Sequence, residues 1–235
     1  MSLIRLGFWA ASGAGEVSYW ISTLGGASAD YGKSVAIDSA KNAYVLGYTD
    51  STGAGGNDFL LAKYDSLGAI QWQRVLGGAS GDDGNSVAID SADNVYVLGY
   101  TASTGAGSND LLLAKYNSSG TIQWQRVLGG ASAEVGNSVA IDSADNVYVF
   151  GFTLSTGAGG LDFLLAKLPN DGSLTGTYVL DGVDMIYATS TLTAATSTLT
   201  AATSSLTAAT STLTAATSTL TDASASLTEH FVGIG

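Results

Sequence analysis

Aspartates at fixed positions are the side chains of this sequence most able to do chemistry. Three short segments, 38–42, 90–94 and 142–146, each open with an aspartate and close with an asparagine. Two acids at this spacing beside turn carbonyls are a recognised way to hold calcium. However, Lys41 replaces the second acid in the first copy, and no segment has the glycine and distal glutamate of an EF-hand loop. We therefore predict hairpin turns capped by aspartate side chains.

Other acids recur one per repeat, which indicates a structural use. Asp58, Asp110 and Asp162 each precede a predicted strand that carries Lys63, Lys115 or Lys167. Such regular placement predicts turn hydrogen bonds or interstrand pairs, and the adjacent Asp82 and Asp83 have no matching pair elsewhere. His230 is the one histidine, so it cannot build a histidine metal site by itself. We predict no catalytic residue, no cofactor and no metal site, and hence no enzyme.

Glycine-rich loops recur at 51–57, 103–109 and 155–161. They resemble phosphate-binding loops only superficially, because they lack the Gly-Lys-Ser/Thr ending and a following helix. We predict turns between strands, and we predict that these exposed loops are where a ligand or glycan makes contact. Trp72 and Trp124 are alternatives for stacking on sugars, although their regular spacing favours packing between repeats.

Composition limits the class of protein. The chain has 235 residues, 31 glycines, one proline and no cysteine, and a net charge of −12 with only 12% charged residues. Nucleic acid binding needs a basic stripe, and no cluster of Lys or Arg is present. No apolar run reaches the ~18 residues expected of a membrane span. We divide the chain into an apolar docking segment (1–15), a repeat domain (16–182) and a stalk with a C-terminal tip (183–235).

A 52-residue repeat organises the chain up to about residue 182. The motif at 70–80 returns at 122–132, and a degenerate copy begins at Trp20. Within one unit we predict four short strands from their β-branched and aromatic residues and the turn signals around them: 86–90, 95–101, 110–116 and 121–128. The fourth strand is predicted to be a half-exposed outer strand, and the first two to be inner ones.

A four-stranded unit of about 50 residues is typical of a propeller blade. Trp72, the glycine pair at 77–78 and the motifs at 85–90 and 96–101 resemble the bacterial β-propeller repeats called SBBP. The predicted fold is therefore mostly β, with three blade-like repeats in a propeller- or prism-like arrangement. The fourth strand occurs four times, anchored by leucines, whereas the others occur three times. The spare copy near Trp20 is predicted to complete a blade of a neighbouring chain.

A second repeat, of seven residues, begins after residue 182. Apolar residues at alternating spacings of three and four predict a long α-helical coiled coil that joins several chains. The runner-up is an extended or glycosylated Ser/Thr-rich stalk. The predicted oligomer seam comprises Met185, Ala188, Leu192, Ala195, Leu199, Ala202, Leu206, Ala209, Leu213, Ala216, Leu220, Ala223, Leu227 and Ile234.

The layout of docking segment, β-rich unit and stalk resembles virion proteins of tailed bacteriophages. That resemblance implies a homotrimeric fibre-like protein, such as a tail-fibre, capsid-fibre or decoration protein, located in the virion. Its partners would be itself, other virion proteins and a host surface glycan. The alternative is a secreted or surface-attached bacterial adhesin. The residues predicted to dock are Leu6, Phe8, Trp9, Phe231 and Ile234.

Overall fold

The computed structural model describes residues 19–197 and 199–205, and all regular structure in these residues is β-strand. One compact unit runs from Ser22 to Thr203. A second unit comprises the two terminal segments, of which residues 19–21 and 204–205 are described. The prediction of a mostly β fold built from antiparallel repeats is confirmed for the described part of the chain.

Three consecutive sheets follow the 52-residue repeat, and we name them blades 1 to 3. Blade 1 holds β2 (Asp30–Ile37), β3 (Ala43–Thr49), β4 (Asp58–Tyr64) and β5 (Ile70–Gly77). Blade 2 holds β6 (Asp82–Ile89), β7 (Val95–Thr101), β8 (Asp110–Tyr116) and β9 (Ile122–Gly129). Blade 3 has three strands: β10 (Glu134–Ile141), β11 (Val147–Thr153) and β12 (Asp162–Leu168).

The repeat pattern predicts the second and third strands of a blade correctly, because β7 and β8 have the predicted bounds. The first strand is longer than predicted. Its ladder with the second strand continues past a bulge at Gly84/Ser86 as far as Asp82, and the same irregularity recurs at Gly32/Ser34 and Gly136/Ser138. A bulge breaks the period-two pattern, so polar residues before Ser86 read as a turn in the sequence.

Apolar side chains between successive blades form the core. The side chains of Leu46 and Phe59 on blade 1 pack against those of Val87 and Val97 on blade 2. Leu98 and the equivalent residues of blade 2 pack in the same way against blade 3. Each inner blade surface is thus covered by its successor, as expected when sheets stack face to face.

The seven-residue repeat also forms strands, so the predicted helix is wrong for the described part of the stalk. β14 (Val183–Thr189), β15 (Thr193–Thr196) and β16 (Thr200–Ser205) are here called the tail strands. β14 pairs with β9, β15 pairs with β5, and β16 pairs with β1 (Trp20–Gly25). Threonine is β-branched and a mediocre helix former, and the fourth strands would otherwise present an open edge.

Each heptad moves the tail back by one blade, from blade 2 toward blade 1. Thr189 pairs with Arg126 and Thr196 pairs with Arg74, so a step of seven residues in the tail matches a step of 52 in the blades. The short turns between tail strands repeat as well. Ser190 Oγ accepts a hydrogen bond from Leu192 N at 3.2 Å, and Ser197 Oγ accepts one from Leu199 N at 3.2 Å.

The predicted seam residues therefore serve the blades where the structure describes them. Met185, Leu192 and Leu199 are buried against blade core residues. Ala188 and Ala195 lie in tail strands opposite Val127 and Val75. Ala202 lies in β16. The seam positions from Leu206 onward, and the docking residues Leu6, Phe8, Trp9, Phe231 and Ile234, lie outside the described residues.

The worn fourth-strand copy near Leu180 does not complete blade 3. β13 (Gly176–Leu180) pairs with β14 instead, with Tyr178 opposite Met185. Among the described residues, β12 therefore has one neighbouring strand, β11, whereas the equivalent strands β4 and β8 have two.

Candidate functional site

Acids at the start of each blade fix the turns that carry the Gly-Gly-Ala-Ser motif. Asp82 is buried, and its Oδ2 accepts hydrogen bonds from Gly78 N and Ser103 Oγ, both at 2.8 Å. Ser80 N donates to the same Ser103 Oγ at 2.9 Å. Asp30 in blade 1 and Glu134 in blade 3 repeat the contact with the turn glycine. These acids are therefore part of the scaffold.

The acids of the hairpin turns are capping residues, as predicted. Asp38 Oδ1 accepts hydrogen bonds from Ala40 N at 3.0 Å and Asn42 N at 2.8 Å. Lys63 Nζ lies 3.5 Å from Asp38 Oδ2, so this lysine pairs with the hairpin-turn acid, whereas Asp58 makes the turn hydrogen bond that was one of the two predicted uses. Burial alone would raise the pKa of Asp38, but the hydrogen bonds from Asn42 and the charge of Lys63 together lower it.

The serine that follows the capping aspartate ties its blade to the next one. Ser39 donates to Asp93 through its backbone N at 3.0 Å and its Oγ at 2.7 Å. Ser91 donates to Asp145 in the same two ways, at 2.9 and 2.7 Å. We call this two-bond contact the serine clamp. It uses Asp93 and Asp145, the second acids that had suggested calcium, so these carboxylates already have partners.

Asp58 and Asp110 each hold one glycine-rich loop and keep one oxygen without a partner. Ala54 N donates to Asp58 Oδ2 at 3.0 Å, and Gly107 N donates to Asp110 Oδ2 at 3.1 Å. The Oδ1 atoms of both aspartates are buried without a hydrogen-bond partner. Burial is the main reason that the pKa of Asp58 rises to about 6, and the charge of Asp82 adds to it. Burial likewise raises the pKa of Asp110.

Two equivalent cavities open beside these aspartates. The blade 1 cavity has a volume of about 190 Å³ and is lined by Thr52, Asp58, Val75, Thr193 and Thr196 among others. The blade 2 cavity has a volume of about 220 Å³, with Thr104, Asp110, Val127, Ile186 and Thr189 at its wall. We name them the loop cavities. Each combines a carboxylate, threonine hydroxyls and an apolar valine, which suits a small polar ligand with one apolar face.

Two glycines make room for each of these carboxylates. An added Cβ at Gly77 would lie 1.5 Å from Asp58 Oδ1, and one at Gly129 would lie 1.5 Å from Asp110 Oδ1. Gly53 and Gly105 have φ angles of 131° and 126°. An added Cβ at either glycine would lie about 2 Å from Oδ2 of the same aspartate. The glycines recur together with the aspartates in each repeat, and this pattern could have indicated the loop cavities from the sequence. Nothing in the sequence indicated that threonines of the tail strands would line the same cavities.

The glycine-rich loops and the Gly-Gly-Ala-Ser turns lie side by side along one edge of the blades. The tips of the loops, 53–56, 105–108 and 157–160, are exposed. An added Cβ at Gly107 would touch the backbone of Ser132, so loop and turn are in direct contact. The structure thus brings the first two predicted contact loops to equivalent cavities.

The tryptophans are used for packing between blades. Trp72 Nε1 donates to Ser118 O at 3.2 Å, and its ring meets that of Tyr44 edge-on at 5.7 Å. Arg74 stacks over the same indole and donates to Gly120 O at 2.7 Å. Trp124 repeats these contacts toward blade 3. Both indoles therefore fasten one blade to the turn of the next.

Two further observations concern the described part of the chain. No helix there has the length and apolarity needed to cross a bilayer. In the same residues, no three acidic or histidine side chains converge as a metal site would require.

Comparison with known proteins supports the repeat. The family described as SBBP, beta-propeller repeat, matches residues 20–53 and 71–105. Each matched segment begins in a fourth strand and extends through the first two strands of the following blade. This chain is a repeat protein with similarity to beta-propeller repeats over these segments.

Two curated proteins share part of this sequence. Regulatory protein FlaEY of Caulobacter vibrioides is 28% identical over 153 residues, which covers 55% of this chain and 16% of FlaEY. An uncharacterized WD repeat-containing protein, L264, of Acanthamoeba polyphaga mimivirus is 22% identical over 182 residues, which covers 57% of this chain and 13% of L264. This chain thus spans at most 16% of the length of either relative.

Proposed function

We propose that this chain is a non-catalytic attachment protein, a fibre-like structural component of a bacteriophage virion that contacts host surface glycan. The observation that carries the proposal is the loop cavity, which occurs in two blades with equivalent residues around Asp58 and Asp110. Two copies of one weak polar site on a single scaffold are suited to a ligand that repeats, such as a polysaccharide.

The chemistry of the loop cavity fits a sugar. The Asp58 and Asp110 carboxylates border the loop cavities as hydrogen-bond acceptors, and the threonine hydroxyls of the cavity walls both donate and accept,. Volumes of about 190 and 220 Å³ lie below the roughly 300 Å³ at which drug-sized pockets begin, so a single sugar ring is the size expected,. Each contact would be weak, and affinity would come from engaging several sites at once.

The remaining acids support a scaffold rather than a reaction centre. Asp38, Asp82 and Asp93 each make hydrogen bonds that recur in another blade. Contacts that are repeated from blade to blade indicate a structural use of these acids, whereas a catalytic pair would be expected in one blade. Among the relatives, neither name points to catalysis or to a virion, so the setting of the protein rests on its layout.

The homotrimer predicted from the heptad seam is not part of this proposal, because the described heptads pair with blade strands instead. A secreted bacterial adhesin is the alternative setting, and it would use the same loop cavities. Immunogold labelling of purified phage particles separates the two settings, since an adhesin leaves the particles unlabelled.

The binding test uses immobilised bacterial lipopolysaccharide and capsular polysaccharide. We expect the wild-type protein to bind at least one of them, and the Asp58→Asn/Asp110→Asn double variant to lose most of that binding. Each single variant should bind with intermediate avidity. Asp38→Asn is the matched control, because it changes an aspartate outside the loop cavities and should bind as the wild type does.

Two results would count against the proposal. Unchanged binding by the double variant would remove the loop cavities from the interface. Release of reducing sugar from either polysaccharide, abolished by one acidic substitution, would show that the protein is an enzyme.

A further inference from the structure

We propose that a second copy of this chain docks head to tail, with the front of its blade 1 on the back of blade 3. The front of blade 1 is the β2 surface of Tyr31, Val35 and Ile37, which are 52, 62 and 56% exposed. The back of blade 3 is formed by Phe150, Phe163 and Leu165, which are 39, 88 and 69% exposed. The inference concerns self-assembly and is independent of the proposed glycan contact.

Both surfaces are buried wherever the chain supplies the next blade. Val87 and Val139, the equivalents of Val35, are 7 and 6% exposed. Phe59 and Leu111, the equivalents of Phe163, are 1 and 0% exposed. The equivalents of these exposed apolar residues are buried by a neighbouring blade at both internal junctions. The internal junctions therefore serve as a template for the contact between copies.

The space beside Gly32 on the front of blade 1 is empty, whereas a side chain of the preceding blade fills it at the equivalent glycines. Added Cβ atoms at Gly84 and Gly136 would lie 2.9 Å and 2.6 Å from side-chain atoms of Leu46 and Leu98 on the preceding blade. An added Cβ at the equivalent Gly32 meets nothing within 4 Å. Phe150 is the blade 3 equivalent of Leu46 and Leu98, so a second copy would place this ring against Gly32.

One polar pair at the internal junction becomes an apolar pair at the proposed one. Asn57 Nδ2 on blade 1 donates to Asp83 Oδ1 on blade 2 at 2.9 Å. The equivalent positions at the chain ends hold Leu161 and Tyr31, which are 64 and 52% exposed. Leu161 and Tyr31 thus replace a polar pair by two largely apolar side chains, which would pack against each other at the proposed junction.

The sheet edges are complementary too. In the part of the chain that the structure describes, β12 lacks a fourth strand like those that pair with β4 and β8. In the same part, β1 is a fourth strand that pairs with β16 alone. Leu76 lies opposite Phe59, and Leu128 lies opposite Leu111. By the same register, the second copy's Leu24 would lie opposite Phe163. This pairing completes blade 3 and leaves β13 on the outer side of β14.

The tail strands fit the same arrangement. One chain has three fourth strands, β1, β5 and β9, and each already has its tail strand. Two copies would supply six blades, inside the four to about eight with which propellers close, whereas three copies would supply nine. We therefore infer a closed ring of two copies with two identical head-to-tail junctions.

Light scattering after gel filtration tests the proposal on the full chain. We expect the mass of two chains for the wild type. Leu165→Asp on the back and Val35→Asp on the front should each weaken association roughly tenfold or more, because a carboxylate would be buried in an apolar contact. Leu154→Asp is the matched control: Leu154 is 46% exposed, and its equivalents Asp50 and Ala102 stay exposed beside the internal junctions, so the variant should stay a dimer.

Mixing the two variants separates this front-to-back contact from a front-to-front or back-to-back one. Leu165→Asp chains keep an intact front and Val35→Asp chains an intact back, so an equimolar mixture should regain dimers through one junction. Circular dichroism and melting temperatures like those of the wild type show that the variants are folded. A monomeric or trimeric wild type, variants that still dimerise, or a mixture without dimers would overturn the proposal.

Discussion

Asp58 and Asp38 show at the scale of single residues how position within a blade sets the behaviour of a carboxyl group. Asp58 is buried next to another acid, and its pKa is about 6, above the ordinary value of 3.8. Asp38 is surrounded by donors, and its pKa is lowered. Folding therefore opposes the charge on Asp58 and favours the charge on Asp38.

The Asp58→Asn substitution should stabilise the protein at alkaline pH. The folded state holds a proton on Asp58 between about pH 4 and 6, so stability falls as pH rises through this window and stays reduced above it,. At about 1.4 kcal/mol per pKa unit, the cost at pH 8 is on the order of 3 kcal/mol. Asparagine removes this cost and still accepts the Ala54 hydrogen bond. Urea unfolding at pH 8 and pH 4 should show a gain only at pH 8.

Asp38→Asn is the control with the opposite sign. Its lowered pKa contributes stability that is present above about 3.8 and is lost as pH falls through the folded value,. The variant should be less stable than the wild type at pH 7, and the difference should shrink toward pH 3. Equal pH profiles for the two variants would contradict both assignments.

Gly77→Ala should be among the most costly exchanges of one hydrogen for a methyl group in the described chain. The new Cβ would lie 1.5 Å from Asp58 Oδ1, so the loop or the strand must move. We expect a loss of about 2–4 kcal/mol in the free energy of unfolding. Gly81→Ala is the control, because its Cβ meets nothing within 4 Å. Combining Gly77→Ala with Asp58→Ala should cost less than the sum of the two, because the clash is removed.

At the scale of elements, the tail strands replace a predicted helix, and Leu192 is the residue that tests their role. Leu192 is 7% exposed and packs in the core between blades 1 and 2. Leu192→Ala should cost about 2–5 kcal/mol in urea unfolding. Leu174→Ala is the matched control, since Leu174 is 68% exposed and should change stability by less than about 0.5 kcal/mol,. A small effect at Leu192 would mean that the tail strands do not stabilise the blades.

The blades were predictable because each carries its own local signals. β7 and β8 are short, β-rich in composition and bounded by turn residues, and the 52-residue repeat supplied three readings of each. The structure of the tail was not predictable, because a leucine at every seventh residue is compatible with two different secondary structures. It makes a helical seam at spacings of three and four, and it equally makes a short strand plus a turn. Only the register between Thr196 and Arg74 distinguishes them.

The candidate site was predictable only in part, for the same reason. Asp58 and the loop at 51–57 were visible as repeated features, but the wall formed by Thr193 and Thr196 comes from a segment more than 100 residues away. The fourth-strand copy near Leu180 was also identified, yet it pairs with β14. It lacks the tryptophan and arginine that fasten β5 and β9 to the next blade's turn, and the described chain supplies no blade after blade 3 to hold such a strand.

At the scale of the whole molecule, the proposed junction between copies differs from the internal ones at the serine clamp. Ser39 and Ser91 each bind an aspartate of the next blade, whereas Ser143 of blade 3 would face the second copy's Lys41. Lys41 has a φ of 69°, close to the 59° of Asp93 and Asp145, so an aspartate fits this backbone. The missing clamp makes the junction between copies the weakest in the ring.

Lys41→Asp should therefore tighten the dimer. A hydrogen-bonded clamp to an exposed carboxylate contributes about 1 kcal/mol, or roughly fivefold in affinity for each of the two junctions. We expect the dissociation constant from analytical ultracentrifugation to fall by about fivefold to 25-fold. Adding Ser143→Ala should remove the gain, while Ser143→Ala alone should leave the dimer unchanged, because the serine has no acceptor in the wild type. A gain that survives Ser143→Ala would come from net charge, and a weaker dimer would mean that blade 3 does not meet blade 1 of another copy in this register.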